Sequence, residues 1–91
     1  MRMVRALLAS AAVGDEASTA GAGLIEDLLW AHAVPADGLE HIRVRPLPHG
    51  MDVVLFLSTP SDASALLAAA GLLDRLQRPL ARHGYTGGVV L

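Results

Sequence analysis

From Leu39 to Ser58 apolar and polar residues alternate on both sides of Leu47-Pro48-His49-Gly50, the pattern of two extended segments joined by a tight turn. Pro48 presets φ for the second turn position, and Gly50 is expected to take the positive φ of a type I turn followed by a bulge. A turn centred between Pro48 and His49 sets Arg45 opposite Asp52, Val44 opposite Val53, Arg43 opposite Val54, Ile42 opposite Leu55 and His41 opposite Phe56. That register sorts the side chains into two faces. Ile42, Val44, Val53, Leu55 and Leu57 form a core face, while His41, Arg43, Arg45, Asp52, Val54 and Phe56 share the other. The second segment is apolar on both sides, as suits a central strand; the first has a charged outer side, as suits an edge.

Helical spacing follows. Thr59-Pro60-Ser61-Asp62 reads as an N-cap, a proline at the first helical position and an acid at the third. Leu66, Leu67, Ala70, Leu73 and Leu76 then recur every three or four residues and are the expected buried stripe. Pro79 should kink or end this helix, with a short last turn reaching His83 before Gly84, and Val89-Val90-Leu91 closes the chain as a final strand. Upstream, Ser18 or Thr19 can cap a helix carrying Leu24, Ile25, Leu28, Leu29 and Trp30 that stops before Pro35-Ala36-Asp37-Gly38.

The first nine residues fit two periods. Met3, Val4, Leu7 and Leu8 suit a helix; Val4, Ala6 and Leu8 alternating with Met3, Arg5 and Leu7 suit a strand. The strand is preferred because it completes the order strand, helix, strand, strand, helix, strand. The expected fold is therefore α+β and ferredoxin-like, with a four-stranded antiparallel sheet, both helices on one face and the other face open. The alternative has an N-terminal helix and a three-stranded sheet.

Composition narrows the chemistry. The 91 residues make one small domain, with about 63% of the unfolded surface buried on folding. Residues 1–91 include 16 Ala, 16 Leu and 8 Val but one each of Phe, Trp and Tyr, so the core is aliphatic. Cys, Lys and Asn are absent and all seven basic residues are Arg, the codon bias expected of a high-GC bacterium. Thiolate nucleophiles, disulfides, CxxC metal clips, Schiff-base lysines and P-loop lysines are thereby excluded. A net charge of −2 gives no global pull toward nucleic acid or an anionic membrane, and no apolar run is long enough to span a bilayer. Met1 to Arg5 followed by an Ala/Leu run ending in Ala9-Ser10-Ala11 has the outline of a minimal signal peptide, but the run is short; a cytoplasmic location is expected.

Candidate chemistry converges on the open face. Val54 and Phe56 stand at its middle, Met3, Arg5 and Leu7 join from the first strand, and His41, Arg43 and Arg45 lie toward the edge. An apolar centre with a basic rim suits a protein interface with arginine anchors. Partner-binding residues are accordingly His41, Arg43, Val54, Phe56 and Arg5, with Asp52 satisfying Arg45 across the strands. No cofactor, metal or catalytic group is expected. His32, His41, His49 and His83 have no metal-ligand spacing, with His49 a turn residue and His83 a helix C-terminal cation. Glu26-Asp27 and Asp15-Glu16 are adjacent acids that diverge, and Ser58, Ser61 and Ser64 lie in no nucleophile elbow. Gly14, Gly21 and Gly23 miss the dinucleotide-binding frame, leaving Ser10 to Ser18 as a long loop expected to be a lid, a ligand contact or simply a mobile connection.

The function expected is thus a non-catalytic accessory module that forms a homodimer or binds another protein through its open face, without nucleic acid or membrane. The alternative is a small cofactor-free ferredoxin-like enzyme of monooxygenase or cyclase type, with His41, Trp30 or Arg5 lining an apolar cavity between sheet and helices, or a small-molecule sensor at a dimer interface.

Overall fold

A computed structural model describes residues 1–10 and 19–90. The chain runs β1 (Arg2–Ser10), α1 (Thr19–His32), a 3-10 turn (Pro35–Asp37), β2 (Leu39–Leu47), β3 (Gly50–Leu57), α2 (Asp62–Arg75), α3 (Gln77–Arg82) and β4 (Tyr85–Val89). This is an α+β fold in which the four strands make one open antiparallel sheet in the order β2-β3-β1-β4. The N-terminal segment is a strand, and β3 is central with β2 at the edge, as the alternation requires. Among the described residues no helix is long and apolar enough to cross a membrane.

The hairpin has the register that its turn dictates. Arg45 pairs with Asp52, Val44 with Val53, Arg43 with Val54, Ile42 with Leu55 and His41 with Phe56, and a bulge between Leu39 and His41 ends the regular ladder. Gly50 does not take a positive φ, contrary to the turn type expected. Its small size answers a different need: a Cβ there would collide with the carbonyl oxygen of Leu8, because β1 lies directly against the start of β3.

β1 shows why period two matters. Val4, Ala6 and Leu8 are buried while Met3, Arg5 and Leu7 are exposed. The buried set joins Ile42, Met51, Val53, Leu55 and Leu57 from β2 and β3 in one cluster with Ile25 and Leu29 of α1 and Ala65, Ala69, Leu72 and Leu73 of α2. All these side chains are at most 5% exposed.

Three details of the helices differ from expectation. Helix α2 begins two residues later than the cap at Thr59 implied, with Ser61 as N-cap; its Oγ accepts the Ser64 amide at 3.0 Å. The cause is Arg2, whose guanidinium donates to the carbonyls of Thr59 and Pro60 at 3.3 and 3.0 Å and to Asp62 Oδ1 at 2.8 Å, holding that turn outside the helix. The buried stripe of α2 is Ala65, Ala69, Leu72, Leu73 and Leu76, while Leu66, Leu67 and Ala70 are exposed. Between Ala65 and Leu73 no polar residue marks an outer side, so the pattern leaves the phase open and packing against the sheet selects it. Small residues at 65 and 69 let the helix backbone come close. On α1, Ile25 and Leu29 are buried but Trp30 is 43% exposed. Ser18, the other candidate cap, and most of the Ser10 to Ser18 loop lie outside the described residues.

The helix break falls where proline chemistry places it. Pro79 has no N–H to donate to Arg75, and the chain leaves helical geometry at Leu76 (φ −92°, ψ −2°) before α3 resumes. His83 caps the end of α3 and Gly84 follows at φ 82°, while the last strand is Tyr85–Val89; of the Val89 to Leu91 strand expected, Leu91 lies outside the described residues. A second constraint was not evident from local pattern. Asp37, 6% exposed, accepts the Val34 amide at 2.9 Å and Arg75 Nη2 at 2.6 Å, and Arg75 also donates to the His32 carbonyl at 3.3 Å. The end of α1 is thereby pinned to the end of α2.

The phase of α2 is open to test. Leu72→Ala should cost about 2–5 kcal/mol. Leu67→Glu, at a side chain 76% exposed, should stay within about 0.5 kcal/mol of wild type. Urea denaturation of the two variants distinguishes this phase from the one with Leu67 inside.

Candidate functional site

The side chains that β1, β2 and β3 turn away from the core form ladders across the sheet. His41, Phe56 and Met3 make one row; Arg43, Val54 and Arg5 the next; Arg45, Asp52 and Leu7 the third. All five residues expected to bind a partner, His41, Arg43, Val54, Phe56 and Arg5, therefore share one face. On the other side of β1, Gly88 stands opposite Leu7 and Thr86 opposite Ala9, and the Val90 amide donates to the Arg5 carbonyl at 2.8 Å. Glycine at 88 adds no side chain, so β4 does not cover Leu7.

Exposure divides the face into a dry centre and an accessible margin. Val54 and Phe56 are half-buried, Met3 is 70% exposed and Leu7 39%. Phe56 shelters under His41, their rings 5.3 Å apart between centroids and tilted by 49°, a geometry that stabilises aromatic pairs. Neither the last strand nor the kinked helix end hides Met3 or Leu7.

Asp52 is the electrostatic hub. Its carboxylate is 8% exposed and accepts Arg5 Nε at 2.8 Å, Arg5 Nη2 at 3.4 Å and Arg45 Nη2 at 3.0 Å. Hydrogen bonding from Arg5 holds this carboxyl below its ordinary value of 3.8; burial opposes the shift, and the charges of Arg5 and Arg45 add to it. Arg5 is raised in return by the same carboxylate. The sequence foretold only the Arg45 partner. The stronger contact, from Arg5, reaches Asp52 diagonally from β1, and no local pattern sets the register of β1 on β3. The side chain of Arg43, in the same row as Arg5, has no ion pair or hydrogen bond among the described residues.

Two hollows adjoin this surface. One, about 260 Å³, is lined by Arg43, Arg45, Asp52 and Val54. The other, about 610 Å³ and mostly apolar, lies at the end of the sheet between Leu7, Leu47, Pro48, His49 and Thr86. Neither lies between sheet and helices. The enzymatic alternative has His41, Trp30 or Arg5 lining a cavity between sheet and helices; His41 and Arg5 are on the sheet face turned away from the core, and Trp30 is 43% exposed on α1. Among the described residues no group of three or more His, Asp or Glu could hold a metal ion. Comparison with known protein families, with curated proteins and with solved structures finds no match.

Because the folded-state pKa of Asp52 is lowered, its contribution to stability is complete above the ordinary value of 3.8 and is lost as pH falls through the lower folded value. Asp52→Asn should accordingly flatten the acid side of the stability curve below about pH 4. Chemical denaturation of both proteins over a pH series checks the slope.

Proposed function

We propose that the protein is a non-catalytic binding module whose working surface is the open sheet face, with Phe56, Val54, Arg43, Arg5 and His41 at the contact. The order β4-β1-β3-β2 supports a ferredoxin-like reading, as does the packing of α1 on β2 and of α2 on β1 and β4. In that arrangement both helices share one side of the sheet, and the other side is free to receive a partner. The observation that carries the proposal is the mixed character of this free side. Met3, Leu7, Val54 and Phe56 are apolar and accessible or half-accessible, and they alternate with guanidinium groups held in place by a nearly buried carboxylate.

Such a surface is costly to leave in water and well made for association. Aromatic and arginine side chains are the residues enriched at the energetic centres of protein interfaces. Fixing Arg5 and Arg45 on Asp52 before binding reduces the entropy lost on docking. A catalytic role has less support, since among the described residues no nucleophile, base and orienting group converge.

Association is the decisive test. Light scattering over a concentration series and binding to candidate proteins should both depend on this face. Phe56→Arg should abolish association, and Met3→Glu, at a position already 70% exposed, should weaken it at least tenfold, with unchanged circular dichroism. Association that survives both substitutions would show that another surface is used.

A further inference from the structure

We infer that the partner of the open face is a different protein that presents carboxylates, an acidic segment flanked by apolar side chains, and not a second copy of this chain. The inference rests on the reading of the face as an interaction surface and adds the chemistry of its occupant.

Charge is segregated in this molecule. The rows of Arg43 and Arg45 carry Arg5, Arg43 and Arg45 against Asp52, an excess of two positive charges, with Glu40 exposed in the bulge beside His41. The other four Arg in the sequence stand against eight Asp and Glu, an excess of four negative charges, which sums to the net −2. These rows are thus opposite in sign to the remainder of the chain.

The one acid in these rows is already spent. Asp52 accepts from both Arg5 and Arg45 and is 8% exposed, so it has little left to offer a docking surface. Arg43 retains all five of its N–H donors among the described residues, and Arg45 commits only Nη2. The hollow of about 260 Å³ between these two arginines has Val54 in its wall together with Asp52, whose charge is already met by Arg5 and Arg45. An Asp or Glu side chain entering it would lay its methylene stem on Val54 and place its carboxylate between two guanidinium groups, the charge-assisted geometry that arginine favours.

A second copy supplies less of the kind. Face-to-face packing about a twofold axis sets the same surface against itself, with two excess positive charges in these rows on each side and only Glu40, in the bulge outside them, as an uncommitted acid. Like charges brought into a contact from which water is excluded oppose association. Nucleic acid also brings anions, but single-stranded bases need aromatic platforms. Phe56 is the one such ring on this face besides His41, since Trp30 is on α1 and Tyr85 packs on the core.

The experiment is a selection of a random-sequence displayed peptide library on the immobilised full chain, with Phe56→Arg and Arg43→Gln carried in parallel and circular dichroism as the folding control. Peptides retained by wild type and lost on Phe56→Arg should be enriched in Asp or Glu beside Leu, Ile or Phe. A synthesised member should bind about tenfold more weakly to Arg43→Gln, and more weakly as salt is raised. Phe56-dependent peptides without acidic enrichment, or insensitive to Arg43→Gln, would overturn the carboxylate assignment while leaving the interaction surface in place. So would a dimer in light scattering that Phe56→Arg dissociates, or tighter Phe56-dependent binding of a mixed-sequence single-stranded RNA oligonucleotide. No Phe56-dependent ligand or dimer at all would overturn the interaction surface itself, and the inference with it.

Discussion

A strand's side chains have a period of two, so once Arg45 stands opposite Asp52 every other residue of β2 and β3 is committed to one side or the other. A slip of one residue would bury Arg43 and Arg45 and expose Ile42 and Val44. The two-residue connection at Pro48 and His49 prevents it, and the close approach of the Leu8 carbonyl to Gly50 extends the same registration to β1. Core and outer sheet face are therefore two results of one constraint: the alternation that sends Val53 and Leu55 inward also lines up Val54, Phe56 and Asp52 on the outside.

Electrostatics then organises what alternation has exposed. Three arginines on one side of a small sheet would repel one another, and Asp52 at the middle offsets two of them at distances of 2.8 and 3.0 Å. The carboxylate is nearly buried by the guanidinium groups that bind it, so its attraction is screened less than that of a fully exposed pair. Arg2 and Arg75 play a different part, tying the start of α2 to β1 and its end to the buried Asp37. Arginine is thus used twice, as a clamp for helix ends and as the charged component of the open face.

What could be read from the sequence follows from which interactions are local. The hairpin register was legible because a turn signal and a period-two pattern agree within twenty residues. The placement of Met3, Arg5 and Leu7 on the open face followed as soon as β1 was taken as a strand. The phase of α2 was not legible, since Ala65 to Leu73 is apolar all round and carries no sign of which side faces the core. Nor were the pairs Arg5 with Asp52, Arg75 with Asp37 and Arg2 with Asp62, which join residues 47, 38 and 60 positions apart. The helix cap moved from Thr59 to Ser61 for the same reason: a distant guanidinium occupies the carbonyls that precede it.

The central place of β1 has a kinetic side. β2 and β3 are neighbours in sequence, and a hairpin of that kind closes in about 1–10 μs. The pairing of Ala6 with Val89 closes a loop of nearly the whole chain, and loop-closure entropy must be met before that contact contributes anything. By loop length the hairpin is the least costly pair to close, whereas both pairings of β1, with β3 and with β4, require long loops to close. Until β4 is in place, one edge of β1 and the apolar side chains beneath it are uncovered, and during this interval the molecule is most prone to pair with the wrong chain.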